Sequence, residues 1–327
     1  MTETTWKKHF FGWHEAEENC DNTYSPDFHN TLTKEELQLQ ESYALSLGQL
    51  YWRRQKISSM RRPELFPQEY PINDIECFLF SGRNRFDISR LQLYLQNVQE
   101  PRKKGYLRRD LNGNIQFTPD NKGAIWIYKE PVEQSVYIIG ADVARGIGGN
   151  NCSATIFDTG RNIVATYVQD VEPNQFGRDL CVIGKYYNTA VLAVECNNHG
   201  LATLTTIRDE IKYPRNRTHY HTTMDKATNK QTELIGFQTN EDTRETIISK
   251  LDDDLRRGNI SIPCKRVISE MLAFIINKNG KSEAQNGAQD DMVIATAIGN
   301  WCINLYRNLT IEFDAANMQF QFKSKRR

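Results

Sequence analysis

No stretch of this 327-residue chain is long and apolar enough to cross a bilayer, and its opening, MTETTWKKHF, lacks the hydrophobic core of a secretory signal. The chain therefore reads as soluble. Cysteine is sparse: the seven are scattered, odd in number and without a C-x-x-C pair, which argues against a disulfide scaffold and a zinc site and favours a reducing compartment. The six histidines form no H-E-x-x-H, and the nearest pair, His219 and His221, reads as ordinary strand or loop residues. Excess charge of one sign is missing too, since 41 basic residues balance 41 acidic ones. That excludes a protein positive all over, but not a local groove for nucleic acid. A phosphate-cradling G-x-x-x-x-G-K-[ST] loop is also lacking: Gly280-Lys281-Ser282 comes nearest, but Ile275 stands where the first glycine belongs. No ATP hydrolysis is expected from this chain alone.

What is present is enough for a packed core, with 39% apolar and 25% charged residues. Residues 1–75 read as a mostly helical linker or the trailing part of a larger region, and residues 76–327 as the main domain. Thr33 and Glu36 have capping-box spacing and open an expected helix through KEELQLQESYALSLGQLYWRRQKI. Pro63, Pro67 and Pro71 then suggest an extended connector over residues 61–71. Further on, GAIWIY, SVYIIGAD, CSATIFD, NIVATYV and AVLAVEC are short β-rich runs, and FDTGRN supplies a turn between two of them. Residues 175–188 read as a helix leading to AVLAVEC, and HYHTTMDKATNKQTELIGF as a hairpin with DKATNK at its tip. Residues 241–257, 267–277 and 290–306 read as helices. Strands followed by mixed helices and strands point to an α/β layer arrangement on one mixed central sheet.

Three acidic stretches stand out. Asp142 interrupts the apolar run VYIIGADVA, Glu195 ends AVLAVE, and Asp290-Asp291 open the apolar run MVIATAIGNW. A carboxylate at the edge of a core is costly unless paired, hydrogen-bonded or bound to a cation. Taken singly, each has a plain explanation: a strand-end loop cap, a surface Glu before an Asn-rich turn, or acids favoured at a helix start by the macrodipole. Taken together, they suggest one site for hard divalent cations. Ala295, Ala297 and Gly299 would let the last helix pack closely on the sheet. Of the paired acids, Asp291 is the favoured ligand and Asp290 its neighbour.

IIGADVARG, VECNNHG, GFQTNEDTR and AQDDMVIATA, preceded by WRRQKI, FPQEYP and CFLFSGRNRFD, together resemble the nuclease domain of the large terminase subunit of tailed bacteriophages. The resemblance covers roughly residues 50–306. It implies a ribonuclease H-like fold, also that of Holliday-junction resolvases: a mixed central sheet flanked by helices. It implies Asp142, Glu195 and Asp291 as catalytic, metal-binding acids with Asp290 adjacent. Gln289 stands where relatives often carry His. Arg145 and Arg244 are implied as contacts to the DNA backbone. The implied activity is cleavage of double-stranded DNA during genome packaging in the host bacterial cytoplasm. Two Mg²⁺ or Mn²⁺ ions at a spacing of about 3.5–4 Å would give 5′-phosphate and 3′-hydroxyl ends. Portal protein and the small terminase subunit are the implied partners. The ATPase motor of a complete large terminase is missing, so the chain reads as a fragment or half of a split gene.

Basic clusters supply further candidate phosphate contacts: Arg102, Lys103, Lys104, Arg108 and Arg109 around Gly105; Lys226 and Lys230 at the hairpin tip; and the tail Lys323, Lys325, Arg326 and Arg327. Each also reads as plain solvated charge. Two rival readings stay open: a resolvase-like junction nuclease, and a module that docks DNA or portal without cutting.

Overall fold

The computed structural model describes residues 10–73, 84–110, 112–144, 151–197, 199–224, 230–285 and 287–306. The chain divides into two compact units, Met1–Arg85 with Ile275–Lys281, and Phe86–Phe274 with Ser282–Arg327.

The first unit is helical. Thr33 caps α1 (Lys34–Tyr43) through a capping box with Glu36. The expected single helix is in fact two. Ala44 turns left-handed at φ 53°, and Ser46 starts α2 (Leu47–Ser59) with a second capping box, to Gln49. Two local caps outcompete continuation through Ala44-Leu45. The proline-rich connector is not extended either. Pro63 and Pro67 start short helical turns, Pro63–Leu65 and α3 (Phe66–Glu69), because a missing N–H costs nothing in a first turn. Trp13, Phe28, Leu45, Leu50, Phe66 and Ile72 form the core, with Trp52 stacked on Trp13. Glu36 is buried beside Arg54. Burial alone would raise its carboxyl, but hydrogen bonds from Arg54 and Thr33 outweigh that and hold it at about 2.

The second unit begins with α4 (Ile88–Gln96). Seven strands follow: β1 (Lys103–Arg109), β2 (Ile115–Pro119), β3 (Ile125–Ile127), β4 (Tyr137–Asp142), β5 (Cys152–Asp158), β6 (Ile163–Gln169) and β7 (Val191–Val194). They form one sheet in the order β2-β1-β3-β6-β5-β4-β7, antiparallel except for the parallel β4–β7 pair. An antiparallel meander β4-β5-β6, then a helical crossover α5 (Pro173–Tyr186) to a parallel β7 beside β4, is the ribonuclease H-like arrangement.

After β7 come α6 (Gly200–Thr205), the hairpin β8 (Tyr220–Met224) and β9 (Gln231–Ile235), α7 (Glu241–Arg257) and α8 (Lys265–Leu272). The helix expected over 267–277 stops at Leu272, and β10 (Phe274–Ile276) and β11 (Ser282–Ala284) follow. Between them, the Gly280 amide closes a turn onto Asn277 O at 3.0 Å. The last described helix, α9, covers residues 291–306.

The sheet has two differently used faces, as strand alternation requires. Tyr137, Ile139 and Ala141 of β4 join the core that includes Phe176, Leu180 and Ile183 of α5. The alternate residue Gly140 meets α9 instead. A Cβ there would stand 2.1 Å from Ala295 O and 2.3 Å from Gly299 N. Thr155, opposite Gly140 in register, lies 3.1 Å from Thr296, oxygen to oxygen. The strand and helix backbones therefore touch, and Asp142 shares the face that α9 covers.

Gly140→Ala should push α9 off β4 and lower stability by about 1–3 kcal/mol, the range for overpacking a tight core. Urea denaturation measures it; a variant as stable as the parent would show that α9 is not seated on Gly140.

Candidate active site

The site is built where two parallel strands end side by side. Asp142 is the last residue of β4. One position beyond β7, the Glu195 amide donates to Ala141 O at 2.9 Å and extends the ladder by a residue. The two carboxylates thus stand at neighbouring carboxyl ends, where α/β sheets place ligands.

Glu195 is held from its other side. Phe237 N donates to Val194 O at 2.7 Å, and Cys196 N to Phe237 O at 2.9 Å. Gly236, at φ 96°, makes the bend that allows this, and a Cβ there would fall 2.5 Å from Leu204 Cδ1. Thr239 Oγ1 then donates to Glu195 Oε1, and Asn197 Nδ2 donates to Thr239 O. Gly200 lets α6 tuck beneath the Glu195 carbonyl, since a Cβ there would sit 1.9 Å from that oxygen.

The third strip arrives on α9. Asp291 is its first residue, and its Oδ2 accepts the Asn151 backbone N–H at 3.2 Å. Asp290 accepts from Arg244 Nη2 of α7 at 2.6 Å. Gln289 Oε1 accepts from Asn151 Nδ2 at 3.3 Å. Glu270 of α8 belongs to the same cluster. Its Oε2 accepts the Met292 N–H at 2.8 Å, in the first turn of α9. Sequence reasoning missed Glu270, although a signal was there: it falls three residues after Val267 on the stripe of α8 whose neighbours Val267, Ile268 and Met271 are buried.

The carboxylates perturb one another. Burial raises Asp142 well above the usual carboxylate range, and the charge of Glu195, a hydrogen bond to it, and Asp291 and Asp290 add to the rise. Burial likewise lifts Asp291 to about 6, against the Asn151 amide and with help from Asp290. Glu270 is pushed to about 8 by burial and by Asp291 and Asp290, although the Met292 and Val293 amides oppose this. Each acid has a protein partner: Asp142 with Glu195, Asp290 with Arg244, Asp291 with the Asn151 amide and Glu270 with that of Met292. Among the described residues, no three His, Cys, Asp or Glu side chains are arranged as a formed metal cage. The donors are nonetheless all hard oxygens, with no thiolate or imidazole among them, a set that suits Mg²⁺-like cations.

The other candidate residues are distributed differently. Lys103 pairs with Glu130 at 2.6 Å, and Lys104 pairs with Glu100 at 3.2 Å and lies over Trp126. Both belong to β1, four strand spacings from β4 in the sheet order, roughly 19 Å. Lys230 is exposed beside β9. Arg145, Lys226 and the basic tail lie outside the described residues.

Fold and site together define a ribonuclease H-like domain with an acidic cluster at the carboxyl edge of its sheet. No family model and no curated protein sequence matches the chain. Among solved structures it is similar to the large terminase nuclease from thermophilic phage G20c. With bound cobalt, that structure gives 14% identity and a TM-score of 0.45, over 67% of this chain and 96% of that one. With bound magnesium, it gives 15% and 0.46 over 67% and 96%. The Thermus phage P74-26 large terminase nuclease domain gives 14% and 0.41 over 64% and 93%.

The raised carboxyls make a signed prediction for pH. Between the ordinary carboxylate values of 3.8–4.5 and the folded values of about 6 for Asp291 and about 8 for Glu270, the folded state holds protons that the unfolded chain has lost. Stability in chelator should therefore fall as pH rises through that window. Urea melts in EDTA at several pH values test this; a flat or rising profile would contradict the clustering of these acids.

Proposed function

We propose that this chain is a divalent-metal-dependent endonuclease for double-stranded DNA, of the large-terminase type. The observation that carries the reading is the side-by-side placement of Asp142 and Glu195 at adjacent parallel strand ends, with α9 bringing Asp290 and Asp291 against them. The motif order that resembles the terminase nuclease supplies the choice of DNA and of genome packaging, with portal protein and small terminase subunit as partners.

In this reading Asp142, Glu195 and Asp291 hold two Mg²⁺ or Mn²⁺ ions, with Asp290 beside them. Bound cations would supply activation of water and neutralisation of charge on the departing 3′ oxygen. The chain's own residues do the rest. Thr239 orients Glu195, Arg244 fixes Asp290, and Glu270 anchors the first turn of α9 so that Asp291 stays at the strand ends. No protein nucleophile is required, and the products are a 5′ phosphate and a 3′ hydroxyl. Arg145, Arg244, Lys103, Lys104, Lys226 and Lys230 are the proposed phosphate contacts. Arg244 Nε is buried without a hydrogen-bond partner, a donor not spent on Asp290.

A second reading, a docking module that does not cut, draws support from the fact that each acid already has a protein partner.

Purified protein with Mn²⁺ should nick and linearise plasmid, and EDTA should stop it. Asp142→Asn and Glu195→Gln should each reduce the rate by about 100-fold or more, because losing a cation ligand removes several kcal/mol of transition-state stabilisation. Variants that fold and cut like the parent would remove the catalytic assignment. A parent that binds duplex without cutting it would favour the docking reading.

A further inference from the structure

On the face of the sheet opposite the acids, a cleft of about 360 Å³ opens between the outer strands and α5. Its walls come from β1, β3, β6 and α5, and Tyr167 on its floor belongs to the core that packs against α5, not to the α9 face. The cleft is thus separated from Asp142 by the thickness of the sheet as well as by intervening strands. Its size falls within the range of small-molecule sites.

Its chemistry is anion-binding at the rim and hydrogen-bonding at the floor. Arg108, Arg109 and Arg178 line it, against a single acid, Asp179. Arg178 is held by Glu210 at 2.8 Å, but among the described residues neither Arg108 nor Arg109 makes an ion pair. Asp179 is already occupied: Tyr167 donates to its Oδ2 at 2.6 Å and Gln175 to its Oδ1 at 2.8 Å. Its single charge faces three guanidinium groups, Arg108 and Arg178 nearest in effect, so the rim keeps a positive excess. Gln169 reaches Tyr167 at 2.9 Å. Both glutamine amides thus spend one end on this network and leave the other end to the cleft. Guanidinium groups favour phosphate because their forked N–H groups match its oxygens. Free amide ends above a floor with apolar Leu107 and Val182 beside them suit the edge and face of a nucleobase.

We infer that this cleft is a binding site for a nucleoside 5′-phosphate, either free or as the phosphorylated end of a DNA strand. Arginines at the rim take the phosphate, and the Gln169–Tyr167–Gln175 floor takes the base. The inference does not depend on the acid cluster being catalytic.

The test is calorimetric titration of the full chain in EDTA, so that cation-dependent binding at the acids is silent. The probes are 2′-deoxyadenosine 5′-monophosphate, inorganic phosphate and a 5′-phosphorylated dinucleotide. Saturable binding of the mononucleotide, weakened by about tenfold or more in Arg109→Glu and in Arg178→Glu and unchanged in Asp142→Asn, is the expected result. Tighter binding of the dinucleotide would assign a strand end, and tighter binding of the mononucleotide a free nucleotide; both support the site. Three results would overturn it: no saturable binding of either nucleotide, inorganic phosphate bound as tightly as the mononucleotide, or binding lost in Asp142→Asn and kept in the arginine variants. Circular dichroism of the two charge-reversal variants, both at the rim, separates lost binding from lost fold.

Discussion

Everything in the second unit turns on the cost of placing carboxylates at the end of a sheet covered on both faces. Asp142 follows five buried residues of β4, and Glu195 follows four of β7. Both are only partly exposed, and no cationic side chain is bonded to either among the described contacts. They share a hydrogen bond instead, and the electrostatic strain appears as the raised Asp142 carboxyl. A protein that gathers acids in this way needs either protons or cations to keep them together. The surrounding backbone serves that end: Gly140 admits α9, Gly236 turns Phe237 back to β7, and Gly200 starts α6 directly beneath Glu195.

The α9 contact explains why acids so distant in sequence can meet. A helix usually rides above a sheet on its side chains, but here its backbone lies against that of β4. Such an approach fixes the helix along the strand as well as above it. Asp254 of α7 adds a second constraint, buried against Asn300 at 2.8 Å and linked to Arg161 and Lys250. The first turn of α9, with Asp291, is thereby set from its middle, and Glu270 needs only to secure its end.

Much of this was legible in the sequence because it is written locally. Alternating and continuous apolar runs marked all of the central strands, and small residues in ATAIG marked the close face of α9. What was not legible has specific causes. The break between α1 and α2 rests on the Ser46 cap and the left-handed Ala44, neither of which the amphipathic pattern alone could show. The end of α8 depended on Phe274 joining a strand, a tertiary choice that overrides helical periodicity. Glu270 was hidden because a lone Glu in a helix is ordinary; only the arrival of the Met292 amide makes it part of the cluster. Lys103 and Lys104 read as solvated charge or phosphate contacts, and partners distant in sequence, such as Glu130 and Trp126, could not be foreseen from the run itself.

The two faces of the sheet solve opposite electrostatic problems with the same alternation of side chains. On the α9 face acids converge: Arg244 answers Asp290, but among the described residues no cation is paired with Asp142 or Glu195. On the α5 face, arginines collect around one acid that Tyr167 and Gln175 have already satisfied. A balanced total charge therefore conceals a local excess of each sign on opposite sides of one sheet. Sheet thickness keeps the two from pairing directly, because side chains of alternate residues cannot cross the backbone plane. A cation can relieve the first excess and an anion the second, so the two faces call for ligands of opposite charge.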